Sequence, residues 1–175
     1  MKSNKGYSLI NLLVALCISA TLVSTATAGL SELTERNKTN STSKQLFRII
    51  NFARLEAVNR GSSIVICPST DSENCTHDWS SELLVFNDAN RDNVFQSDRD
   101  EILLRSELVP KGMNINWRSF GSRPYLSFDA LGSTGYQNGR IYICNLDENH
   151  KAQIIVYRTG RARYALKSEL RDRCI

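Results

Sequence analysis

The sequence predicts an α+β protein, a long N-terminal helix packed on antiparallel β-sheets of about seven short strands. Two observations predict it. Residues 7–60 read as helix, apolar as far as 31 and amphipathic over 32–60, and strand-like runs between turn residues fill 61–175. A chain of 175 residues, 41% hydrophobic and 23% charged, suits one domain with an appendage. No segment is biased enough in composition to be disordered, and no internal repeat is present.

At the N-terminus, Lys2 and Lys5 precede a stretch without charge that runs from Gly6 to Ser31. About 20 helical residues cross a bilayer core, so this stretch is long enough. The two lysines keep the leader on the cytoplasmic side and send the rest outward. A secretory signal peptide is the alternative, with Ala26-Thr27-Ala28 as its small-residue cleavage site.

A glycine before the apolar run, followed by an aromatic residue, argues for a different signal. Lys5-Gly6-Tyr7-Ser8-Leu9-Ile10-Asn11-Leu12-Leu13-Val14-Ala15-Leu16 resembles the class III prepilin signal of type IV pilin-like proteins. The resemblance implies that prepilin peptidase cuts between Gly6 and Tyr7 and removes residues 1–6. Residues 7–31 would then anchor the chain in the inner membrane, with the C-terminal domain in the periplasm, and later join other pilins or pseudopilins in a filament core. One position departs from the family pattern. The fifth residue of the mature chain is Asn11, where the family carries glutamate. Asparagine accepts a hydrogen bond but cannot neutralise a neighbouring N-terminal amine, which favours a low-copy or tip-proximal subunit over a bulk pilin.

Further on, Leu46, Ile49, Ile50, Ala53 and Ala57 recur at three- and four-residue spacing, with Lys44, Arg48, Arg54 and Glu56 between them. This stem helix should stop at Asn59-Arg60-Gly61, with the glycine in the capping position. The polar stretch Glu32 to Ser43 is left open as helical, frayed, or broken near Gly29.

Strand signals follow at Ser63–Cys67, ended by Pro68, and at Glu82–Phe86, ended by the turn Asn87-Asp88. Further runs are Ile102–Arg105, Met113–Trp117, Tyr125–Phe128, Gly139–Cys144 and Gln153–Tyr157. Outside the apolar segment, which holds Cys17, the chain carries Cys67, Cys75, Cys144 and Cys174. An even number there suits an oxidising compartment and two disulfides. Three pairings are open; Cys67–Cys75 and Cys144–Cys174 are favoured, the first closing a short loop and the second pinning the C-terminus. A zinc site is disfavoured because C-x-x-C spacing is lacking and His77 and His150 are poorly placed, so no metal and no cofactor are expected.

The order of features carries a second resemblance. An Ala53-Arg54-Leu55-Glu56-Ala57 helix leads to Ile64-Val65-Ile66-Cys67-Pro68, then Trp79, Val85-Phe86-Asn87-Asp88, Glu101-Ile102-Leu103-Leu104-Arg105, and late Gly160-Arg161-Ala162-Arg163. This succession resembles the FimT/GspH family of minor pilins and pseudopilins across nearly the whole chain. That family serves type IV pili, including those that take up DNA, and type II secretion.

Enzyme chemistry is not expected. There is no Gly-x-Ser-x-Gly elbow, no H-E-x-x-H and no phosphate-cradling glycine loop, and both histidines lie in polar, loop-like stretches. Asp88-x-Asn90-x-Asp92 resembles the start of a calcium loop, but Asn93 and Arg99 stand where glycine and glutamate are needed. A turn held by local Asp and Asn hydrogen bonds is the simpler reading.

Charge is unevenly distributed. Of 22 basic and 18 acidic residues, two lysines fall in the leader. The tail takes Arg158, Arg161, Arg163, Lys167, Arg171 and Arg173 against Glu169 and Asp172, leaving the body 14 basic and 16 acidic. Such asymmetry suits a polyanion, and arginine's planar fork suits phosphate. In an extended segment Arg161 and Arg163 point to one side, Gly160 allows a close turn before them, and Tyr157 and Tyr164 flank them. In FimT-type minor pilins a Gly-Arg-x-Arg motif is associated with DNA binding in natural transformation. The resemblance implies that role for Arg161 and Arg163, with Arg158, Lys167, Arg171 and Arg173 in support, through non-specific phosphate contacts. The alternatives are a solvated basic tail, or a structural subunit of a secretion pseudopilus or a pilus-priming subunit without DNA contact.

Overall fold

The computed structural model describes residues 8–71, 74–107, 112–147, 149–171 and 174, with the side chains of 23–29 outside that description. The chain divides into two compact units, residues 1–37 and 38–175.

In the first unit, helix α1 (Leu9–Arg60) begins. Leu9, Ile10, Leu12, Leu13, Val14, Leu16, Ile18 and Leu22 are all exposed, so this segment is apolar around its circumference. Its hydroxyls are satisfied internally: Ser19 Oγ donates to Ala15 O at 2.7 Å and Thr21 Oγ1 to Ile18 O at 2.9 Å. Among the described residues no helix is long and apolar enough to cross a membrane. The polar stretch that the sequence left open is helical throughout.

The second unit starts within α1 and holds eight strands, one more than the sequence suggests. Strands β3 (Glu101–Ser106), β2 (Glu82–Asp88), β1 (Ser63–Ser69) and β5 (Leu126–Phe128) form one antiparallel sheet in that order. Strands β4 (Met113–Ser119), β6 (Gly139–Asn145), β7 (Lys151–Val156) and β8 (Ala162–Tyr164) form the second. The additional strand, β8, lies within the basic tail. Pro68 does not end β1, which runs on to Ser69, and the Pro68 carbonyl accepts the Thr76 N–H at 2.7 Å.

The expected stem face is the core. Leu46, Ile49, Ile50, Ala53 and Ala57 are buried against Ile64, Ile66, Val85, Ile115, Ile141 and Ile154, which alternate along their strands. A second cluster, Val65, Cys67, Leu84, Phe86 and Phe95, covers the other face of the first sheet, so β1 is buried on both sides. Gly61 ends α1 at φ +62°, and the Ser62 N–H reaches back to Ala57 O at 3.2 Å, the six-to-one bond of a Schellman cap. Trp79 and Trp117 meet with ring centroids 6.0 Å apart, and their indole N–H groups donate to the carbonyls of Pro124 and Tyr125.

Disulfides join Cys67 to Cys75 and Cys144 to Cys174. Cys17 is free and exposed. The Asp88–Asp100 loop is a turn held by its own carboxylates: Asp88 accepts from Asp92 N and Asn93 N, and Asp100 from Ala89 N and Gln96 N at 3.0 and 2.8 Å. Burial pushes the Asp88 carboxyl up, against the pull of those amides. Among the described residues no group of acidic, histidine or cysteine side chains is arranged to hold a metal ion.

Candidate nucleic-acid interface

In the second sheet the apolar residues Ile141, Ile143, Ile154, Val156 and Ala162 face the helix. Arg140, Tyr142, Gln153, Ile155 and Arg163, alternating with them, therefore stand on the opposite face. The C-terminal segment crosses that face. Short 3-10 helix η1 (Lys167–Glu169) follows β8, and the Cys144–Cys174 bond returns the chain end to β6. Between these points Gln153, 2% exposed, substitutes for a missing strand. Its Nε2 donates to Arg171 O at 2.7 Å, and its Oε1 accepts the Arg171 N–H at 3.3 Å and Arg140 Nη1 at 2.8 Å. Arg140 Nη1 also donates to Glu169 O at 2.7 Å.

The Gly-Arg-x-Arg segment begins at a hairpin turn between β7 and β8. Gly160 N–H donates to Tyr157 O at 2.8 Å, and Tyr157 N–H to Arg161 O at 2.9 Å. Gly160 is buried with φ +74°, and a Cβ there would overlap the carbonyl oxygen of Gly132. That close approach is locked from the helix side. Arg54 Nε donates to Gly132 O at 3.0 Å and its Nη2 to Thr159 O at 3.3 Å. Thr134 N–H and Ser133 Oγ add bonds to Arg158 O at 3.0 and 2.8 Å. Sequence reasoning did not assign Arg54 this role, because nothing local marks a contact that spans more than a hundred residues.

The basic residues have different fates. Arg161 is exposed, and its guanidinium has no hydrogen-bond or ion-pair partner among the described residues. Arg158 is exposed, sits 4.7 Å over the Tyr136 ring and donates from Nε to Gly135 O at 3.1 Å. Lys167 and Arg171 are exposed on η1 and just after it. Arg173, like Gly6 and Tyr7, lies outside the described residues.

Arg163 is engaged throughout. Its Nη1 and Nη2 bond Glu169 Oε2 and Oε1 at 2.7 Å each, its Nε donates to Tyr157 Oη at 2.8 Å, and Nη1 also reaches Tyr164 O. The side chains are about one-third exposed, 32% for Arg163 and 31% for Glu169. Glu169 first and Tyr157 second push the arginine's pKa up. Arg163 and then the Leu166 N–H hold the Glu169 carboxyl down, from its ordinary 4.5 to about 2. Of the flanking tyrosines, Tyr157 lies beside Arg163, whereas Tyr164 stacks on Phe47 of α1 with centroids 4.6 Å apart.

The model of the family described as type II transport protein GspH matches residues 42–160. The fold is similar to crystal structures of the type IV minor pilin FimU from Pseudomonas aeruginosa strain PAO1. One gives a TM-score of 0.64 at 19% identity over 82% of this chain and 99% of that one. A second crystal form gives 0.61 at 17% identity, covering 78% and 99%. The minor pseudopilin EpsH from the Type 2 Secretion System of Vibrio cholerae matches with a TM-score of 0.53 at 11% identity, over 73% and 96%. No curated protein matches the chain.

Proposed function

We propose, from the premise that this chain belongs to the GspH family of type II transport proteins, that it is a minor pilin which binds extracellular DNA and serves its uptake. The coarser statement, a minor pilin or pseudopilin of a type IV pilus or a type II secretion system, follows from the family and the shared fold. The finer reading rests chiefly on Arg161. An exposed guanidinium without a protein partner stands at a turn whose backbone is fixed by a buried glycine and by Arg54. Arg158, Lys167 and Arg171 add positive charge around it. Contacts of this kind go to phosphate, carry no base readout and weaken steeply with salt.

In the same reading prepilin peptidase removes residues 1–6 at the Gly6–Tyr7 junction. The apolar start of α1 then holds the chain in the inner membrane until other pilins take it into the filament. The role is structural and adhesive, with no catalytic step.

The competing reading, a pseudopilin or priming subunit that never meets DNA, has one observation in its favour: Glu169 already fills the fork of Arg163. The test is duplex binding by the full chain in detergent at two salt concentrations, beside Arg161→Ala. DNA binding that the substitution weakens supports the reading. No binding by the unsubstituted chain, or binding indifferent to Arg161, would defeat it.

A further inference from the structure

We infer that the outer face of the second sheet holds a phosphate-binding groove centred on Arg140, with Arg118 and Arg171 as its other cations. It deepens the DNA-binding reading, on which the identity of its polyanion rests. The groove has a volume of about 320 Å³, and Arg118, Arg140, Arg171, Asn138 and Tyr157 are among the residues lining it. No carboxylate lines it among the described residues.

Three observations carry the site. First, Arg118 on β4 is paired directly with Arg140 on β6. Like charges opposite each other on antiparallel strands destabilise a sheet, and an anion between them reverses the sign of that interaction. Second, Arg140 is oriented by neutral acceptors, the Gln153 side-chain carbonyl and the Glu169 backbone carbonyl. The Glu169 carboxylate is engaged by Arg163, so Arg140 is held in place without a carboxylate bonded to it. A fixed guanidinium loses less entropy on gripping a phosphate than a mobile one. Third, the groove adjoins the Gly-Arg-x-Arg turn. Register pairs Arg118 with Arg140, Arg140 with Ile155, and Ile155 with Arg163. This row crosses three inter-strand steps of about 4.8 Å, roughly 14 Å in all. One strand of a duplex presents a phosphate about every 3.4 Å along the axis, so roughly four lie over such a row. Arg161 continues it at the hairpin end, since the Tyr157 that lines the groove is bonded to Arg161 through its backbone.

The ligand chemistry is a phosphate oxyanion, free or in a phosphodiester. The experiment uses the full chain in detergent with two probes, a mixed-sequence DNA duplex and inorganic pyrophosphate. Arg118→Gln and Arg171→Gln are compared with Arg161→Gln. Arg171 engages Gln153 through its backbone alone, so Arg171→Gln preserves the fold if Arg118→Gln does not. The site requires Arg171→Gln to weaken duplex binding several-fold at low salt and to lower the salt slope by about one. It also requires pyrophosphate to raise the melting temperature of the unsubstituted chain and to do so less in Arg171→Gln. If Arg161→Gln loses DNA while both groove variants bind duplex and pyrophosphate like the parent, the groove is overturned and the DNA reading stands. If the parent ignores DNA but shows the pyrophosphate effect through Arg171, the groove stands and the DNA reading falls. No response to either probe overturns both.

Discussion

Glu169 closes both of its carboxylate oxygens on the guanidinium of Arg163, at 2.7 Å each, and thereby fastens η1 to the edge strand β8. The second arginine of the motif is thus a positioning residue, and the first is the one presented to a partner.

That pair should write itself into the pH dependence of stability. The folded-state pKa of Glu169 is lowered to about 2 from an ordinary 4.5, so its contribution is fully present above about 4.5 and is lost as pH falls toward 2. The expected outcome is a melting temperature that declines through this window in the parent and declines less in Glu169→Gln. Superimposable pH profiles would show that the pair adds nothing. Because the carboxylate is about one-third exposed, raised salt should shrink the difference.

Gly160→Ala should be among the most damaging single-methyl changes in the chain. It places a side chain at φ +74° and drives a Cβ into the Gly132 carbonyl. Left-handed backbone and overpacking each cost about 1–3 kcal/mol, so a loss of at least about 2 kcal/mol is expected in urea titration. Arg54→Ala, which removes the bonds to Gly132 O and Thr159 O, should cost about 1–2 kcal/mol and leave the strands intact. A Gly160→Ala protein as stable as the parent would refute the close approach.

The two disulfides should separate in effect. Loop-closure entropy gives about 2.5 kcal/mol for the eight-residue separation of Cys67–Cys75 and about 3.6 kcal/mol for the 30-residue separation of Cys144–Cys174. Cys144→Ser/Cys174→Ser should also release the segment that carries Lys167 and Arg171, and so weaken DNA binding. Cys67→Ser/Cys75→Ser should leave DNA binding unchanged. Binding that responds equally to both losses would count against a tethered basic segment.

Asn11 is exposed in the first turns of α1, where its N–H donates to Ser8 O at 2.9 Å. Asn11→Glu restores the carboxylate that can meet a neighbouring N-terminal amine. The expected result is a larger fraction of the chain in sheared filaments, with leader cleavage unchanged. An unaltered fraction would mean that Asn11 does not limit incorporation.

Much of the fold was legible in the sequence. The helix face Leu46, Ile49, Ile50, Ala53, Ala57 and the cap at Gly61 are local patterns, and one face of a helix must be buried whatever covers it. The alternation of Met113, Ile115 and Trp117 marked β4 for the same reason. β8 was missed because Ala162–Tyr164 is three residues long and surrounded by arginines, so its burial signal is one alanine.

The candidate site divides along the same line. By itself the sequence determined that positive charge gathers at the C-terminus and that Gly160 precedes two arginines on one side of an extended segment, since both depend only on neighbours along the chain. The tertiary structure decided which arginine is available. It brought Glu169 onto Arg163, set Arg118 opposite Arg140, and ran Arg54 from the stem helix to the turn at Gly132. These relations come from strand register and from packing between distant segments. A side chain's partner there is chosen by where the backbone has been placed, and local spacing does not encode that choice.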